Sequence, residues 1–280
     1  MPHAMTEDGV KLFYESEGSG PPIVLVHELG GTYRSFDLQV AAWKGRFRCI
    51  AYNARGYPPS DVPVSVESYS QDLAARDIGA VLDAAGLDSA HVMGVSMGSA
   101  ATLQFALSHP SRVRSVILCS IGSGSDAAPG GYAIEMEARA AFIDGSDMRA
   151  VAANFANAPS RIKLKDKNPR EYDNSVAQLS TLSKLGLANT IRGVQKRRPP
   201  LYAHKDKIAA TRIPTLVVLG GIDQGCDKPS QFLKETLPGA RLEMLAKTGH
   251  GVNLEEPALV NDMVSRFVDE VEARRKGHAS

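Results

Sequence analysis

The sequence predicts an α/β protein: a mostly parallel sheet flanked by helices, broken once by an inserted helical segment. Three observations carry this. Short apolar, β-branched-rich runs recur at 23–27, 48–53, 91–95, 113–120 and 215–219, the pattern of strands buried on both faces. Helical spacing separates most of them. From 132 to about 198 strand signals vanish and only helical patterns remain, after which strands resume. An interruption followed by a return favours an insertion over an independent helical domain. The expected division is a core of 1–121 and 205–280 with a helical insertion at 122–204.

Taken in order, 10–15 alternates apolar and polar residues, as a half-exposed edge strand does. The cluster Gly18-Ser-Gly-Pro-Pro22 is a turn. The strand at 23–27 empties into the loop Glu28-Leu29-Gly30-Gly31, and 35–43 follows as a helix. The strand at 48–53 ends in a turn running to Asp61. Residues 69–85 have helical spacing, with Gly86 as the stop. After the strand at 91–95, an Ala-rich stretch at 97–107 reads as a helix, and 113–120 is again a strand. The insertion opens on a Gly/Ser-rich segment at 122–131 and holds helical patterns at 133–142, 148–157, 171–184 and 187–196. A strand at 215–219, a helix at 229–237, a strand at 241–245 and an amphipathic helix at 256–273 complete the chain.

Composition narrows the function. The chain has 280 residues, 43% hydrophobic and 22% charged, with a net charge of +1. Nothing in that balance calls for a nucleic acid or an anionic membrane surface. The basic runs at 196–198 and 274–276 read as solvated faces. Three cysteines, an odd number, argue against a disulfide framework, and Cys49 and Cys119 read as small hydrophobes within strands. No signal peptide or transmembrane-length apolar run is visible, so a cytoplasmic protein is expected. The glycines near 30 and 220 lack the spacing and the Lys of a phosphate-binding loop, and no cofactor is expected.

The chemistry gathers around Gly94-x-Ser96-x-Gly98, placed between a strand and a helix. Small residues two positions either side of a serine permit a sharp reversal that lifts its hydroxyl above the sheet edge. Taken alone, the motif is a weak signal, and a Gly-Ser turn capping a helix is its lesser alternative. A serine hydroxyl is a poor nucleophile until an oriented base takes its proton. In parallel α/β sheets the functional loops follow the carboxyl ends of strands. Asp223 follows the strand at 215–219, and His250, between two glycines, follows the strand at 241–245. Each alone reads as an ordinary turn residue; together, in the order Ser, Asp, His, they make a catalytic set. Asp227 is the nearest rival acid, and Asp126 is disfavoured because no acid immediately follows the strand ending at Ser120.

With these pieces assembled the chain resembles the α/β-hydrolase fold over nearly its whole length. The matching motifs are Val26-His27-x-x-Gly30-Gly31, Asn53-x-Arg55-Gly56, the Ser96 turn, Gly220-x-x-Asp223, and Gly249-His250 followed by Asn253-Leu-Glu-Glu-Pro257. The resemblance implies that Ser96 attacks a carbonyl carbon, His250 shuttles the proton and Asp223 orients the imidazole. It implies an oxyanion site built from the backbone N–H groups of Leu29 and Met97. It makes the helical insertion a lid over the site, with Tyr132, Met136, Phe142, Phe155 and Tyr172 either lining a pocket or forming the lid's own small core. His109 and His204 read as structural or exposed, and Trp43 as core.

Two departures stand out. The family's usual His-Gly is His27-Glu28 here, and the usual Asp of Asp-x-Arg-Gly is Asn53. A carboxylate aimed into the oxyanion site would repel the intermediate, so Glu28 is expected to point away, pairing with Arg55 or supporting His27. His27-Glu28 does not continue as a zinc-protease His-Glu-x-x-His, because position 31 is Gly31. A halide-displacing enzyme would carry Asp where this chain has Ser96.

The leading expectation is hydrolysis of an ester or lactone of a small, fairly apolar molecule. The loop at 27–30 is distantly like that of enol-lactone hydrolases. Carbon–carbon bond hydrolysis of a diketone or dienone, or perhydrolysis, would use the same three side chains. A ligand-sensing protein on this fold, with very slow turnover, is the reading from another class. The oligomeric state is not determined by the sequence.

Overall fold

The computed structural model describes residues 2–159 and 161–279; Met1, Ser160 (within the helical insertion) and Ser280 lie outside the described residues. Eight strands form one sheet: β1 (His3–Met5), β2 (Lys11–Glu17), β3 (Pro22–Val26), β4 (Arg48–Tyr52), β5 (Ala90–Val95), β6 (Val113–Cys119), β7 (Thr215–Gly220) and β8 (Arg241–Leu245). Their spatial order is β1-β2-β4-β3-β5-β6-β7-β8. Pairing is antiparallel from β1 to β2 and from β2 to β4, and parallel from β4 onward. The hairpin partner β1 escapes sequence reading because three residues carry no alternation. Its turn is set by Thr6, whose hydroxyl donates to Asp8 at 2.6 Å and accepts the Val10 N–H at 2.9 Å.

The period-2 geometry of each strand sends alternate side chains to opposite faces. In β3, Val24 and Val26 enter one core with Ile78, Val81, Leu82 and Phe105. Those partners come from α2 (Gln71–Ala84) and α3 (Met97–Ser108). Ile23 and Leu25 enter the other core with Trp43 of α1 (Asp37–Trp43) and with Val260, Val264 and Val268. Burying an aliphatic side chain of this size contributes roughly 1.5–3 kcal/mol, so two full cores make the sheet a rigid platform. The helix expected at 69–85 begins at Gln71 because Ser70 adopts extended backbone and its hydroxyl accepts the Leu73 N–H.

Between β6 and β7 the chain forms a helical block: α4 (Gly131–Gly145), α5 (Met148–Ala156), α6 (Ile162–Lys167), α7 (Pro169–Ser180) and α8 (Lys184–Thr190). The helix expected at 171–184 starts earlier, since Pro169 occupies its first turn and Asn168 caps it. The helix expected at 187–196 is α8 continued by a π-helical turn, Ile191–Gln195. The short α6 had no periodicity to announce it. The block's apolar side packs on the sheet's upper loops, joining Met136, Phe155, Leu187 and Ile191 to Leu29, Tyr57 and Met97. The chain then runs through α9 (Lys205–Ala210), α10 (Asp227–Thr236), α11 (Val252–Glu255) and α12 (Pro257–Ala279). Among the described residues no helix is long and apolar enough to cross a membrane.

Candidate active site

The turn after β5 holds Ser96 at φ 53°, ψ −110°, in a conformation that side chains rarely adopt. Its N–H donates to the Cys119 carbonyl at 2.8 Å, tying the strained residue to the neighbouring strand. Both flanking glycines are required by space. A Cβ on Gly94 would sit 2.3 Å from the Gly98 backbone, and one on Gly98 would sit 2.0 Å from the Val26 carbonyl oxygen. Strand, turn and helix are thus closer than any side chain permits, and the serine is pushed out at the apex.

His250 arrives from the loop after β8 and Asp223 from the loop after β7. The two loops touch: a Cβ on Gly220 would lie 2.0 Å from the Gly249 carbonyl oxygen, and Ile222 N–H donates to the Thr248 carbonyl at 3.1 Å. The result is a continuous chain of contacts. Ser96 Oγ lies 2.8 Å from His250 Nε2, and His250 Nδ1 lies 2.8 and 2.9 Å from the two Asp223 oxygens. Asp223 is 3% and His250 9% exposed, so these contacts face little competing water. Burial disfavours the imidazolium, but the Asp223 carboxylate outweighs it and raises the His250 pKa. Neither rival acid takes this place: Asp126 accepts the Tyr202 hydroxyl at 2.7 Å, and Asp227 lies in the first turn of α10.

Two residues that the sequence left unremarked complete the environment. The Glu255 carboxylate accepts the N–H groups of Gly249 at 2.7 Å and Gly251 at 3.2 Å, gripping the peptides on both sides of His250. Its place in the Asn253-to-Pro257 motif was the available signal. Removing the carboxylate leaves two loop N–H groups without acceptors, each costing about 1–3 kcal/mol where buried. Glu255→Ala is therefore expected to lower the thermal midpoint, and to lower turnover more than KM because His250 loses its register; calorimetry and steady-state kinetics read the two effects. The second residue is Cys226, fully buried, with Sγ 4.0 Å from His250 Nδ1 and 3.2 Å from Ser123 Oγ. Among the described residues Asp223, Cys226 and His250 are the one His/Cys/Asp/Glu group close enough to share a cation. Asp223 and His250 are already bonded to each other, so a metal would have to break that contact. Cys49 and Cys119 are buried, and burial pushes both thiols up to about 12.

The loop after β3 explains the two departures. His27 is buried, and burial lowers its pKa, so the ring is neutral. Nδ1 lies 2.8 Å from the Glu28 carbonyl, and Nε2 accepts the Ala54 N–H at 3.1 Å, which fixes the Nδ1–H tautomer. The Glu28 carbonyl also accepts the Gly31 N–H at 3.0 Å. Two donors thus hold the peptide between Glu28 and Leu29, and a peptide plane held at its oxygen fixes the direction of its N–H. The amides of Leu29 and Met97 have no protein acceptor among the described residues.

The Glu28 side chain does not pair with Arg55, contrary to the sequence expectation. The Arg55 fork is already filled, by Asp77 at 2.6 and 2.8 Å and by Asp8 at 2.7 and 3.1 Å. Nor does the Glu28 carboxylate bond to His27, whose contact is with the backbone carbonyl. The Glu28 carboxylate instead lies over Gly31 and accepts the Ser35 hydroxyl at 3.2 Å, while Oε2 is buried without a partner among the described residues. A Cβ at position 31 would meet that carboxylate at about 2.5 Å, so glycine there accommodates glutamate at 28. Asn53 does what an aspartate cannot: Oδ1 accepts the Tyr33 N–H at 2.7 Å while Nδ2 donates to the Pro58 carbonyl at 2.7 Å.

Two spaces meet at this site. An apolar pocket is lined by Val95, Phe155, Leu164, Val176 and Leu179, together with His250 and Glu28. A more polar cleft contains Ser96, Leu29, His250, Tyr132 and Met136. Of the five insertion residues singled out, Tyr132 and Met136 face the cleft, and Phe155 and Tyr172 the pocket. Phe142 is 39% exposed and lines neither. Met136 and Phe155 also belong to the block's core, so the two readings coincide there. The block is pinned to the histidine loop by Lys167, which donates to Thr248 at 2.9 Å and pairs with Glu256, and by Asn168, which donates to the Leu254 carbonyl at 3.0 Å. His109 is exposed, His204 half-buried, and Trp43 is core.

Comparison with known proteins agrees with this architecture. Residues 21–257 match the family described as alpha/beta hydrolase fold. The chain is 24% identical to 3-oxoadipate enol-lactonase 1 of Acinetobacter baylyi, covering 91% of each. It is 28% identical to 2-hydroxy-6-oxononadienedioate/2-hydroxy-6-oxononatrienedioate hydrolase of Burkholderia vietnamiensis, covering 94% of this chain and 93% of that one. A hydrolase from Pseudomonas aeruginosa of known crystal structure superposes with a TM-score of 0.84 at 26% identity, covering 95% of this chain and 97% of the other.

Proposed function

The chain belongs to the alpha/beta hydrolase fold family, and on that premise we propose that it is a serine hydrolase acting on an ester or lactone through an acyl-enzyme on Ser96. The observation that carries the reading is the unbroken 2.8 Å relay from Ser96 Oγ through His250 to Asp223. In the first step Ser96 Oγ attacks the carbonyl carbon and its proton passes to His250 Nε2. Asp223 holds Nδ1–H and stabilises the imidazolium without taking the proton. The carbonyl oxygen becomes an oxyanion, received by the N–H groups of Leu29 and Met97; each such donor contributes roughly 3–4 kcal/mol to the transition state. His250 then protonates the leaving oxygen, and the ester C–O bond breaks. Water, deprotonated by the same imidazole, releases the acid and restores the serine.

His27 belongs to this reading as a positioning residue, since its ring and Gly31 hold the carbonyl whose peptide carries the Leu29 amide. Glu28 helps to line the acyl pocket, and Arg55 secures the neighbouring loop. The segment at 122–204 acts as a lid that shapes substrate entry, with 1–121 and 205–280 as the catalytic core. The relative named as an enol-lactonase supports the lactone side of the assignment. Carbon–carbon hydrolysis of a diketone remains the second reading, because the same relay serves it and the B. vietnamiensis relative carries a keto-dienoate name.

The test is turnover of p-nitrophenyl acetate and butyrate, simple lactones and a vinylogous diketone by the protein and by Ser96→Ala. Ester or lactone turnover that disappears in the variant supports the assignment. Efficient cleavage of the diketone alone selects the second reading. Ligand-induced stabilisation with negligible turnover of every class selects a sensor.

A further inference from the structure

Three arginines wall the cleft that contains Ser96: Arg139, Arg161 and Arg198. Arg139 has an anionic partner, Glu135, one helical turn away at 3.2 Å. The other two are held by neutral groups only. Arg161 donates from Nη2 to the Leu29 carbonyl at 2.7 Å, with its guanidinium 5.9 Å from the Phe155 ring centre. Arg198 donates from Nη2 to the Ser123 carbonyl at 2.6 Å and to the Tyr132 hydroxyl at 3.0 Å, with its guanidinium 5.4 Å from the Tyr132 ring centre. Neither has a carboxylate in ion-pair range among the described residues.

A guanidinium offers five N–H donors in a planar fork suited to a carboxylate. Among the described residues these two use one side-chain nitrogen each on the protein. The cleft's own acids are committed elsewhere: Asp223 to His250, Asp126 to Tyr202 and Glu135 to Arg139. Arg161 and Arg198 are both half-buried, and partial desolvation weighs against the Arg161 charge. Glu28 offsets that cost through its field alone, from beyond ion-pair range. Arg161 also lines the apolar pocket, so it stands where the two spaces join.

We propose that the substrate carries a carboxylate, held by Arg161 with help from Arg198, while its apolar segment fills the neighbouring pocket and its ester or lactone carbonyl meets Ser96. This rests on Ser96 being the nucleophile, and it adds an anionic end to the apolar substrate expected from the sequence. The bound acid supplies the counter-ion that the cleft lacks, and the fork fixes which end of the substrate approaches the serine.

The test compares p-nitrophenyl hexanoate with the mono-p-nitrophenyl ester of adipic acid, which differ only by a terminal carboxylate. The native protein is expected to favour the adipate ester in kcat/KM by at least about tenfold, the effect of roughly one good charge-assisted contact. Arg161→Gln is expected to erase that ratio, Arg198→Gln to reduce it and Arg161→Lys to keep part of it. A native ratio near one, or a ratio unchanged in Arg161→Gln, overturns the proposal. A binding measurement decides the matter independently of turnover. Millimolar adipate, but not adipamide, should raise the melting temperature of Ser96→Ala, and the rise should vanish when Arg161→Gln is added. Absence of any rise where neither ester is cleaved also overturns the proposal. Equal ester cleavage by Ser96→Ala and the native protein would instead remove the nucleophile assignment, leaving adipate binding to judge the arginines.

Discussion

Replacing Ser96 by alanine is expected to lower kcat for ester hydrolysis by about 10⁴- to 10⁶-fold, the range seen when a triad nucleophile is removed. The geometry makes the loss large because nothing else in the cleft replaces the hydroxyl. Its oxygen is the one nucleophile within hydrogen-bond reach of His250 Nε2 among the described residues, at 2.8 Å. Fold and stability should barely change. The turn is dictated by Gly94, Gly98 and the Ser96 N–H bond to Cys119, none of which involves the hydroxyl. Alanine bears the same left-handed backbone strain as serine, so the melting temperature should stay within about 2 °C, the scale of a few tenths of a kcal/mol in a chain of this size. An inactive but equally stable variant separates chemistry from folding. A variant that loses both would show that the hydroxyl holds the turn.

The second large effect is at Asp223. Asp223→Asn is expected to lower kcat by about 10⁴-fold, since an amide next to Nδ1 favours the wrong tautomer and cannot stabilise the imidazolium. The pH dependence follows from the direction of the His250 shift. Burial alone would lower its pKa, but Asp223 raises it above the ordinary 6.5. The neutral imidazole is the working base, so kcat/KM should rise with pH through an ionisation above 6.5 and level off beyond it. In Asp223→Asn the largest opposition to burial is gone and only the neighbouring Cys226 still favours the imidazolium, so the residual activity should rise at lower pH than in the native protein. Stability follows the same sign. The His250–Asp223 pair contributes fully below about pH 6.5, where the unfolded histidine is also charged, and its contribution is lost as pH rises through the raised folded value. The stability gap between native protein and variant should therefore narrow with rising pH, as read by melts between pH 6 and pH 9. An acid limb that stays in place in the variant would remove Asp223 from its role.

Most of the sheet was legible because a buried parallel strand writes itself as an apolar run. Ile23 to Val26 divides cleanly between the two cores. The meeting of the three candidate site residues was legible because each follows a strand, and parallel strands deliver their ends to one rim. What stayed hidden depends on distant contacts. Arg161 lies 132 residues from the carbonyl it grips, with no local pattern to announce it. The sequence suggests Glu28 as a partner of Arg55 or a support for His27 because those groups are the visible ones nearby, whereas its carboxylate meets Ser35 instead. The sequence could not show that Asp8 and Asp77 had already filled the Arg55 fork. The π-helical turn after Thr190 and the short hairpin at the N-terminus are likewise choices made by packing rather than by periodicity.

The most direct measurement is the site of covalent acylation. The protein, mixed briefly with p-nitrophenyl acetate and quenched in acid, should carry one acetyl group, mapped by peptide mass spectrometry to Ser96. The same treatment of His250→Ala should give little or none. Acetyl on another residue, or full hydrolytic turnover with Ser96 replaced, would contradict nucleophilic catalysis by this serine.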